Sequence, residues 1–452
     1  MKYDSITDVI GDTPLVRIAP EIHGLRHIDL YAKLEMLNPF GSVKDRAAWN
    51  MVQPLIATEG DGDSDSDSDG KVTRTVVELS SGNTAKALAV IAGMHGLPFK
   101  SVTNRMKVPE IKDLLLLLGA EIEELPGQAE CLDPTNTEDP LTKIHQMLSA
   151  DTGAYVHTDQ YYNPLNIEAH RTATGPEIVK DLGGRAPDWF VAAVGTAGSS
   201  TGTARALRGH DPNVGVIGLV AHKSDFIPGI RNIDEVHEVG LFDPATYDTI
   251  ESVTADEAID GMITLVRRCG MLAGPTGGAA YFGAVRHLRA IDETLTDEEE
   301  RRTAVFIVCD RVESYMSYVR QRRPELLRQP ARRNSVATLT DAEIAAATTI
   351  DAGEARRWIA DARPLVVDLR GSFAFDALHI PGSVNIVDEI FAELLHGGLP
   401  FGRNQPVLLA CPVGEQSVRY AALLHRMGHT DVRSLAGGII AWRDAGAPLV
   451  RD

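Results

Sequence analysis

The sequence predicts an α/β protein in two parts, an open and mostly parallel sheet assembly followed by a smaller α/β domain. Three observations carry this. At 452 residues the chain is too long for one ordinary core. From residue 1 to about 325 short apolar runs alternate with helical patterns, which marks βα units. A stretch rich in Arg and Gln, Arg320 to Arg333, with Pro324 and Pro330, then interrupts the pattern, which restarts near residue 341. The division is therefore residues 1–325, a linker over 326–344 and a second domain over 345–452.

Composition narrows the class. With 44% hydrophobic and 24% charged residues the chain reads as globular. A net charge of −19 works against binding nucleic acid or anionic membranes and favours solubility. The longest leucine run, Leu114 to Leu118, is far too short to cross a bilayer. The opening Met1-Lys2-Tyr3-Asp4-Ser5 has no apolar secretory core, so a cytoplasmic location is expected. Cys131, Cys269, Cys309 and Cys411 show no paired spacing, which suits reduced thiols and gives no metal site.

Taken in order, the first chemical stretch is Asn38-Pro39-Phe40-Gly41-Ser42-Val43-Lys44-Asp45-Arg46. Pro39 and Gly41 make a turn, and Ser42 can cap the helix that follows. Lys44 then falls in the first helical turn, where the dipole disfavours a cation. A lysine pushed toward its neutral form suits Schiff-base chemistry; taken alone, the stretch reads equally as a surface lysine beside a turn. Asp61 to Gly70 is a low-complexity Asp/Ser insertion. Asp65, Asp67, Asp69 and Gly70 copy the opening of an EF-hand loop, but Val76 occupies the position of the bidentate glutamate, so a hydrated loop is expected.

Val76 to Leu79 reads as a strand delivering Ser80-Ser81-Gly82-Asn83-Thr84 to a helix over 85–94. That loop can hold a carboxylate through N–H and hydroxyl donors. Phe190 to Val194 is a further strand, opening into Gly195-Thr196-Ala197-Gly198-Ser199, a small-residue nest suited to phosphate. Val214 to Val220 and Ala304 to Cys309 are two more buried strands. Gly274-Pro275-Thr276-Gly277-Gly278 again sets a hydroxyl among small residues before a helix. In open α/β sheets ligands collect at the carboxyl ends of strands, where these loops fall.

Together these segments resemble the fold-type II pyridoxal-phosphate enzymes of the cysteine synthase and cystathionine β-synthase group, over about residues 5 to 320. The resemblance implies two open α/β subdomains, like those of the tryptophan synthase β subunit, and a homodimer. Asp12-Thr13-Pro14-Leu15-Val16 resembles the opening of that group, and Thr174-Gly175-Pro176-Glu177 a further segment. Ser42 to Arg46 resembles its cofactor-lysine motif, which implies that Lys44 holds pyridoxal 5′-phosphate covalently and later acts as base. Ser80 to Thr84 resembles its substrate loop, implying that Asn83 meets the cofactor's 3′ oxygen. Ser80, Ser81 and Thr84 would hold the substrate carboxylate, with Gln160 in Gln160-Tyr161-Tyr162-Asn163-Pro164 completing the grip. Gly195, Thr196, Ala197, Gly198 and Ser199 take the place of the phosphate loop, and Thr276 that of the hydroxyl facing the pyridine nitrogen. Ala85, Ala197 and Ser199 depart from the usual residues; Ala85 lines the substrate side and bears on which leaving group or nucleophile fits.

Val407 to Ala410 reads as a strand ending at Cys411-Pro412-Val413-Gly414-Glu415-Gln416-Ser417, before a helix. A cysteine there faces converging N–H groups that stabilise a thiolate or persulfide; on position alone it reads as a buried structural thiol. Val367-Asp368-Leu369-Arg370, His379 to Asn385 and Leu435 to Trp442 flank it. The set resembles a single rhodanese domain with Cys411 as sulfur acceptor. Gln416 stands where many active members carry arginine, which weakens the case for an anionic donor such as thiosulfate. His170 and His379 read as structural.

The function these resemblances imply is β-replacement on O-acetylserine or O-phosphoserine by a sulfur nucleophile, giving cysteine or a close analogue. A rhodanese module would handle the sulfur. The partners are then a small amino-acid substrate and a sulfur donor. Three alternatives stay open: β-elimination of cysteine with release of sulfide, a rhodanese domain that regulates without turnover, and deamination of serine or threonine, against which Thr84 argues.

Overall fold

A computed structural model describes residues 2–60, 74–104, 106–126, 139–151, 153–223, 225–298, 300–327 and 335–451. The Asp/Ser-rich insertion and Cys131 lie outside these residues. The chain divides into two compact units, Met1–Leu326 and Leu327–Asp452.

The first unit carries β1 (Leu15–Arg17), β2 (Ile28–Lys33), β3 (Thr75–Leu79), β4 (Phe99–Thr103), β5 (Glu121–Glu124) and β6 (Tyr155–His157). It continues with β7 (Trp189–Ala193), β8 (Gly215–Ala221), β9 (Thr249–Val253) and β10 (Arg302–Ile307). They form a six-stranded sheet in the order β1-β2-β10-β7-β8-β9 and a four-stranded sheet in the order β5-β4-β3-β6. Only β1 runs antiparallel to its neighbour; every other pairing is parallel. Parallel strands covered on both faces need apolar side chains at every position. Phe190, Val191 and Ala192 in β7 and Val216 to Ala221 in β8 are all buried, which is why these strands read as continuous apolar runs.

The strand expected over 304–309 pairs instead over Arg302–Ile307. Its last residues leave the ladder to hold the lysine loop. The Val308 carbonyl accepts from Met36 N–H at 3.0 Å and the Cys309 carbonyl from Val43 N–H at 2.8 Å. Helices Ala255–Cys269 and Pro275–Asp292 pack so closely that a Cβ at Gly278 would stand 2.1 Å from the Ala258 carbonyl oxygen. No described helix is long and apolar enough to cross a membrane.

The second unit is a five-stranded parallel sheet of β11 (Thr349–Ile350), β12 (Leu365–Asp368), β13 (Val384–Asn385), β14 (Val407–Ala410) and β15 (Val432–Leu435), in the order β11-β15-β14-β12-β13. Residues 335–344, read from the sequence as linker, pack on this unit. Arg426 donates to the Thr338 carbonyl at 2.9 Å and to both carboxylate oxygens of Glu343, at 2.7 and 2.6 Å. Val336 and Leu339 lie against the core of Phe391, Leu409 and Leu424.

Candidate active site

In the first unit, helix Lys44–Gly60 starts at the lysine itself. Ser42 Oγ accepts from Lys44 N–H at 3.2 Å and donates to Asp45 Oδ1 at 3.0 Å, which closes the turn as the sequence suggests. Gly41 has φ +88°, a conformation glycine adopts without strain. Behind the turn a buried charge cluster anchors the helix. Arg46 donates to both oxygens of Glu35 (2.7 and 2.9 Å) and both of Glu177 (2.7 Å each), and Lys33 reaches Glu177 at 2.9 Å. Burial alone would raise the Glu177 carboxyl, yet Arg46 and Lys33 hold it at about 2. His170, buried and bonded to the Thr174 hydroxyl at 2.9 Å, is pushed down to about 3 by the loss of solvent.

Lys44 Nζ points into a cavity of about 200 Å³ and donates to Thr196 Oγ1 at 3.1 Å. Burial lowers its pKa, with Cys309 and Asp310 opposing the shift. The wall collects Ser80, Ser81, Asn83, Thr84, Gln160, Gly195 and Thr196 around Lys44, all of them sequence candidates. Ser80 Oγ accepts from Ala85 N–H at 3.1 Å, which ties β3 to the start of helix Asn83–Met94. Thr84 Oγ1 donates to Gln160 Oε1 at 2.7 Å, and Gln160 Nε2 donates to the Leu79 carbonyl at 2.7 Å. The two substrate-side groups are thus locked to each other and to the end of β3.

Other candidates sit one step back. Ala197, Gly198 and Ser199 form the start of helix Gly198–His210, behind the wall, with Ala197 in the left-handed region at φ +61°. Asn166 Nδ2 braces this loop through Thr196 Oγ1 at 3.1 Å and the Gln160 carbonyl at 2.7 Å. Thr276 is also buried outside the wall, and its hydroxyl donates to the Pro228 carbonyl at 2.6 Å. It lies behind Gly229, where a Cβ would come within 2.9 Å of the Thr276 oxygen.

Sequence reasoning missed much of the remaining wall. Residues 225–235 supply Asp225, Phe226, Gly229, Arg231 and Glu235, and Tyr315 closes the cavity beside Asn83. Pro228-Gly229 is a turn signal that could have marked the first of these. Arg231 donates to Tyr161 Oη at 2.8 Å and pairs with Glu235 at 3.4 Å.

The cavity suits a phosphorylated pyridine aldehyde. It offers a lysine with a lowered pKa, the small-residue mouth of Gly195 and Thr196, and the first N–H groups of helix Gly198–His210 for an anion. It also contains a buried polar atom without a partner, Asn83 Oδ1.

In the second unit Cys411 follows β14 and is buried. Gly414 N–H and Ser417 N–H point at its Sγ from 3.2 and 3.4 Å, with the Ser417 hydroxyl also at 3.4 Å. Gly414 has φ +91°, and a Cβ there would stand 2.9 Å from Gly437 N. Gln416 Nε2 donates to Asp388 Oδ2 at 3.0 Å, so its amide is tied to a carboxylate. His379 stacks on Phe375 at 4.0 Å and bonds the Phe375 carbonyl.

Comparison with known proteins matches both units. Residues 6–310 match the model of the family described as pyridoxal-phosphate dependent enzyme, and residues 351–445 that of the rhodanese-like domain. Cysteine synthase B of Pseudomonas aeruginosa is 32% identical over 323 residues, which cover 70% of this chain and 97% of that protein. Cysteine synthase of Staphylococcus aureus is 28% identical over 321 residues, covering 70% and 96%. Among solved structures, the O-acetylserine dependent cystathionine β-synthase of Helicobacter pylori aligns with a TM-score of 0.57 and 26% identity, over 70% of this chain and 98% of the other. A hydrogen sulfide-producing enzyme of Fusobacterium nucleatum aligns with a TM-score of 0.58 and 26% identity, over 70% and 99%.

Proposed function

The chain belongs to the pyridoxal-phosphate dependent enzyme family, and on that premise we propose that it replaces the β-substituent of an activated serine with a sulfur nucleophile, giving cysteine or a close analogue. It is a pyridoxal-phosphate-dependent enzyme with a rhodanese-like domain after it. The observation that carries the reading is the convergence of Lys44 Nζ, the Ser80–Thr84 loop and Gln160 on one cavity. Its similarity to cysteine synthases, and to an enzyme that uses O-acetylserine, supports O-acetylserine as the activated serine.

In this reading Lys44 carries the cofactor, the Gly195–Ser199 loop holds its phosphate, Asn83 lies beside the lysine, and Thr276, behind Gly229 with its proton given to the Pro228 carbonyl, has only acceptor lone pairs to offer the ring. The bound cofactor supplies an electron sink for charge that develops at the substrate's α-carbon. The N–H groups that begin helix Asn83–Met94, with the hydroxyls of Ser80 and Ser81, hold the substrate carboxylate. Thr84 gives its proton to Gln160 and with it fixes the loop for that grip. Lys44, whose amine burial favours in the neutral form, takes the proton from the α-carbon. It returns that proton once sulfur has joined the β-carbon and the acetate has left with its bonding pair.

The test is direct. Full-length protein supplied with O-acetylserine and sulfide should form cysteine, and Lys44→Ala should abolish both this and the yellow colour of the bound cofactor. Pyruvate and sulfide from cysteine alone, with no cysteine formed in the first assay, would instead select β-elimination, which the Fusobacterium likeness favours as the second reading. For the second unit, Cys411 is proposed to carry a sulfane sulfur within its N–H cradle. Thiocyanate released by cyanide after incubation with sulfane donors, above a Cys411→Ser control, supports carriage. None above that control supports a regulatory domain, the reading that the Gln416–Asp388 bond favours.

A further inference from the structure

One buried group beside the cavity plays no part in the reaction just described. Asp310 follows β10, is 2% exposed and points toward Asn83 and Tyr315. Asn83 Nδ2 donates to Asp310 Oδ2 at 2.7 Å and also lies 2.9 Å from Tyr315 Oη, which donates to the same carboxylate oxygen at 2.5 Å. The amide nitrogen of Asn83 is thus drawn to the carboxylate, and its oxygen is left buried without a partner in the wall beside Lys44.

The orientation follows from the charge. A carboxylate accepts only, so an ionised Asp310 must face the NH2 end of Asn83; the reversed amide would set two acceptors against each other. Asp310 Oδ1 is itself buried without a partner, so it is a proton taken up on Oδ2, the oxygen that faces Asn83, that turns this bond round and makes the reversed amide the satisfied one. In pyridoxal phosphate the phenolic oxygen lies ortho to the aldehyde carbon that a lysine would take. On the cofactor placement proposed above, on which this inference rests, Asn83 in the wall beside Lys44 faces that oxygen.

We propose that Asp310 is a positioning residue which, through Asn83, decides whether the cofactor's phenolic oxygen meets an acceptor or a donor, and so whether it keeps its proton. With Asp310 ionised, Asn83 presents Oδ1 and favours the phenol form. With Asp310 protonated, Asn83 turns about its Cβ–Cγ bond, presents N–H and favours the phenolate. The proton lost from the oxygen goes to solvent, and no bond to carbon changes.

The surroundings place this exchange in an accessible range. Burial raises Asp310 to about 6, against the pull of Tyr315, Lys86, Asn83 and Lys44. The charged and titratable groups facing it are Lys44 from one helix, Lys86 from the next, and Cys309 and Tyr315 from its own segment. Lys86 is 8% exposed and its ammonium makes no hydrogen bond or ion pair among the described residues, so its charge acts on Asp310 through space.

The test is spectroscopic, on the full-length, cofactor-loaded protein without substrate. Absorption and fluorescence-excitation spectra, which separate phenol from phenolate, are recorded at pH values bracketing 6. The expected result is a rising phenolate fraction as the pH falls through the Asp310 transition. Asp310→Asn should remove that transition, and Lys86→Met, which takes away a stabilising cation but none of the side-chain hydrogen bonds of Asn83 or Lys44, should move its midpoint up. A phenol-to-phenolate ratio flat across this range in wild type, or an Asp310→Asn protein that titrates with the wild-type midpoint, overturns the proposal. Colour kept after Lys44→Ala would overturn the placement of the cofactor as well, which marks the two failures apart.

Discussion

Removing the guanidinium of Arg46 tests how the start of the lysine helix is held. Arg46→Met keeps the length of the side chain and deletes its four charge-assisted hydrogen bonds to Glu35 and Glu177. The two carboxylates then differ. Glu177 retains Lys33 at 2.9 Å, whereas Glu35, fully buried, is left with only the Thr13 hydroxyl at 2.7 Å and Asn38 Nδ2 at 2.9 Å. Breaking a buried pair from one side costs about 3–5 kcal/mol, because the remaining charge stays desolvated. The sign of the pH effect follows. In wild type, burial opposes ionisation of Glu35 but Arg46 wins and holds its pKa below the ordinary carboxylate value, so it stabilises the fold above that value. Without Arg46 burial prevails and lifts the folded-state pKa above the unfolded one. The deficit is then largest at neutral pH and shrinks as acid protonates Glu35. Urea unfolding reads this in a background with Trp358→Phe and Trp442→Phe, where Trp49 and Trp189 report on the first unit alone. Glu35→Gln added to Arg46→Met should recover at least half the loss. A deficit under about 1 kcal/mol, or one indifferent to pH, refutes the account of a charge stranded in the core.

Two further outcomes are expected. A Cβ at Gly198 would stand 2.0 Å from Asn166 Oδ1, so Gly198→Ala should displace Asn166 and loosen its two bonds to Thr196 and Gln160. At about 1 kcal/mol each this weakens cofactor binding roughly thirtyfold in a fluorescence titration of cofactor-free protein. Gly209→Ala in the same helix meets nothing within 4 Å and should leave the affinity unchanged. In the second unit, Gln416→Arg places a cation beside the Cys411 loop and should raise thiosulfate-to-cyanide transfer about tenfold or more, as one charged hydrogen bond to the donor predicts. No gain would mean that donor charge is not read at this position.

What was legible in the chain was what the chemistry builds locally. Pro39, Gly41 and Ser42 shape a turn that can do little except present Lys44 at a helix start, and Ser80 to Thr84 must cap the helix after β3. Both show in a few adjacent residues. Asp310 and Tyr315 do not, because they meet Asn83 across 227 and 232 residues of chain, and nothing in Cys309-Asp310-Arg311 announces a partner at that separation. Thr276 was found by its loop, yet the commitment of its proton to Pro228 depends on a carbonyl 48 residues away. The stretch over 335–344 looked like linker because its Ala- and Thr-rich composition carries little apolar periodicity. Arg426, more than 80 residues on, supplies the grip that composition could not show.

The two charge clusters around the lysine helix act in opposite ways, and the difference lies in pairing. On the anchoring side Arg46, Glu35, Glu177 and Lys33 are each matched by an opposite charge within about hydrogen-bond distance, and Glu177 sits at about 2. Glu35 and Glu177, held low by their partners, and Arg46, held high by its own, keep their charge throughout the physiological range. On the side of Lys86 burial outweighs pairing. Asp45, held by Phe40 N–H at 2.6 Å and by Ser42, is raised to about 7, and Asp310 to about 6. Lys86 is lowered, chiefly by burial, although both carboxylates face it. An acid whose folded-state pKa is raised makes the fold more stable as the pH falls through that value, so protonating Asp45 and Asp310 does not weaken it. Mild acid can therefore change the hydrogen bonds at the cavity wall while the ion pairs holding the helix stay intact. The chain has placed its responsive groups where the chemistry is and its fixed charges where the scaffold is.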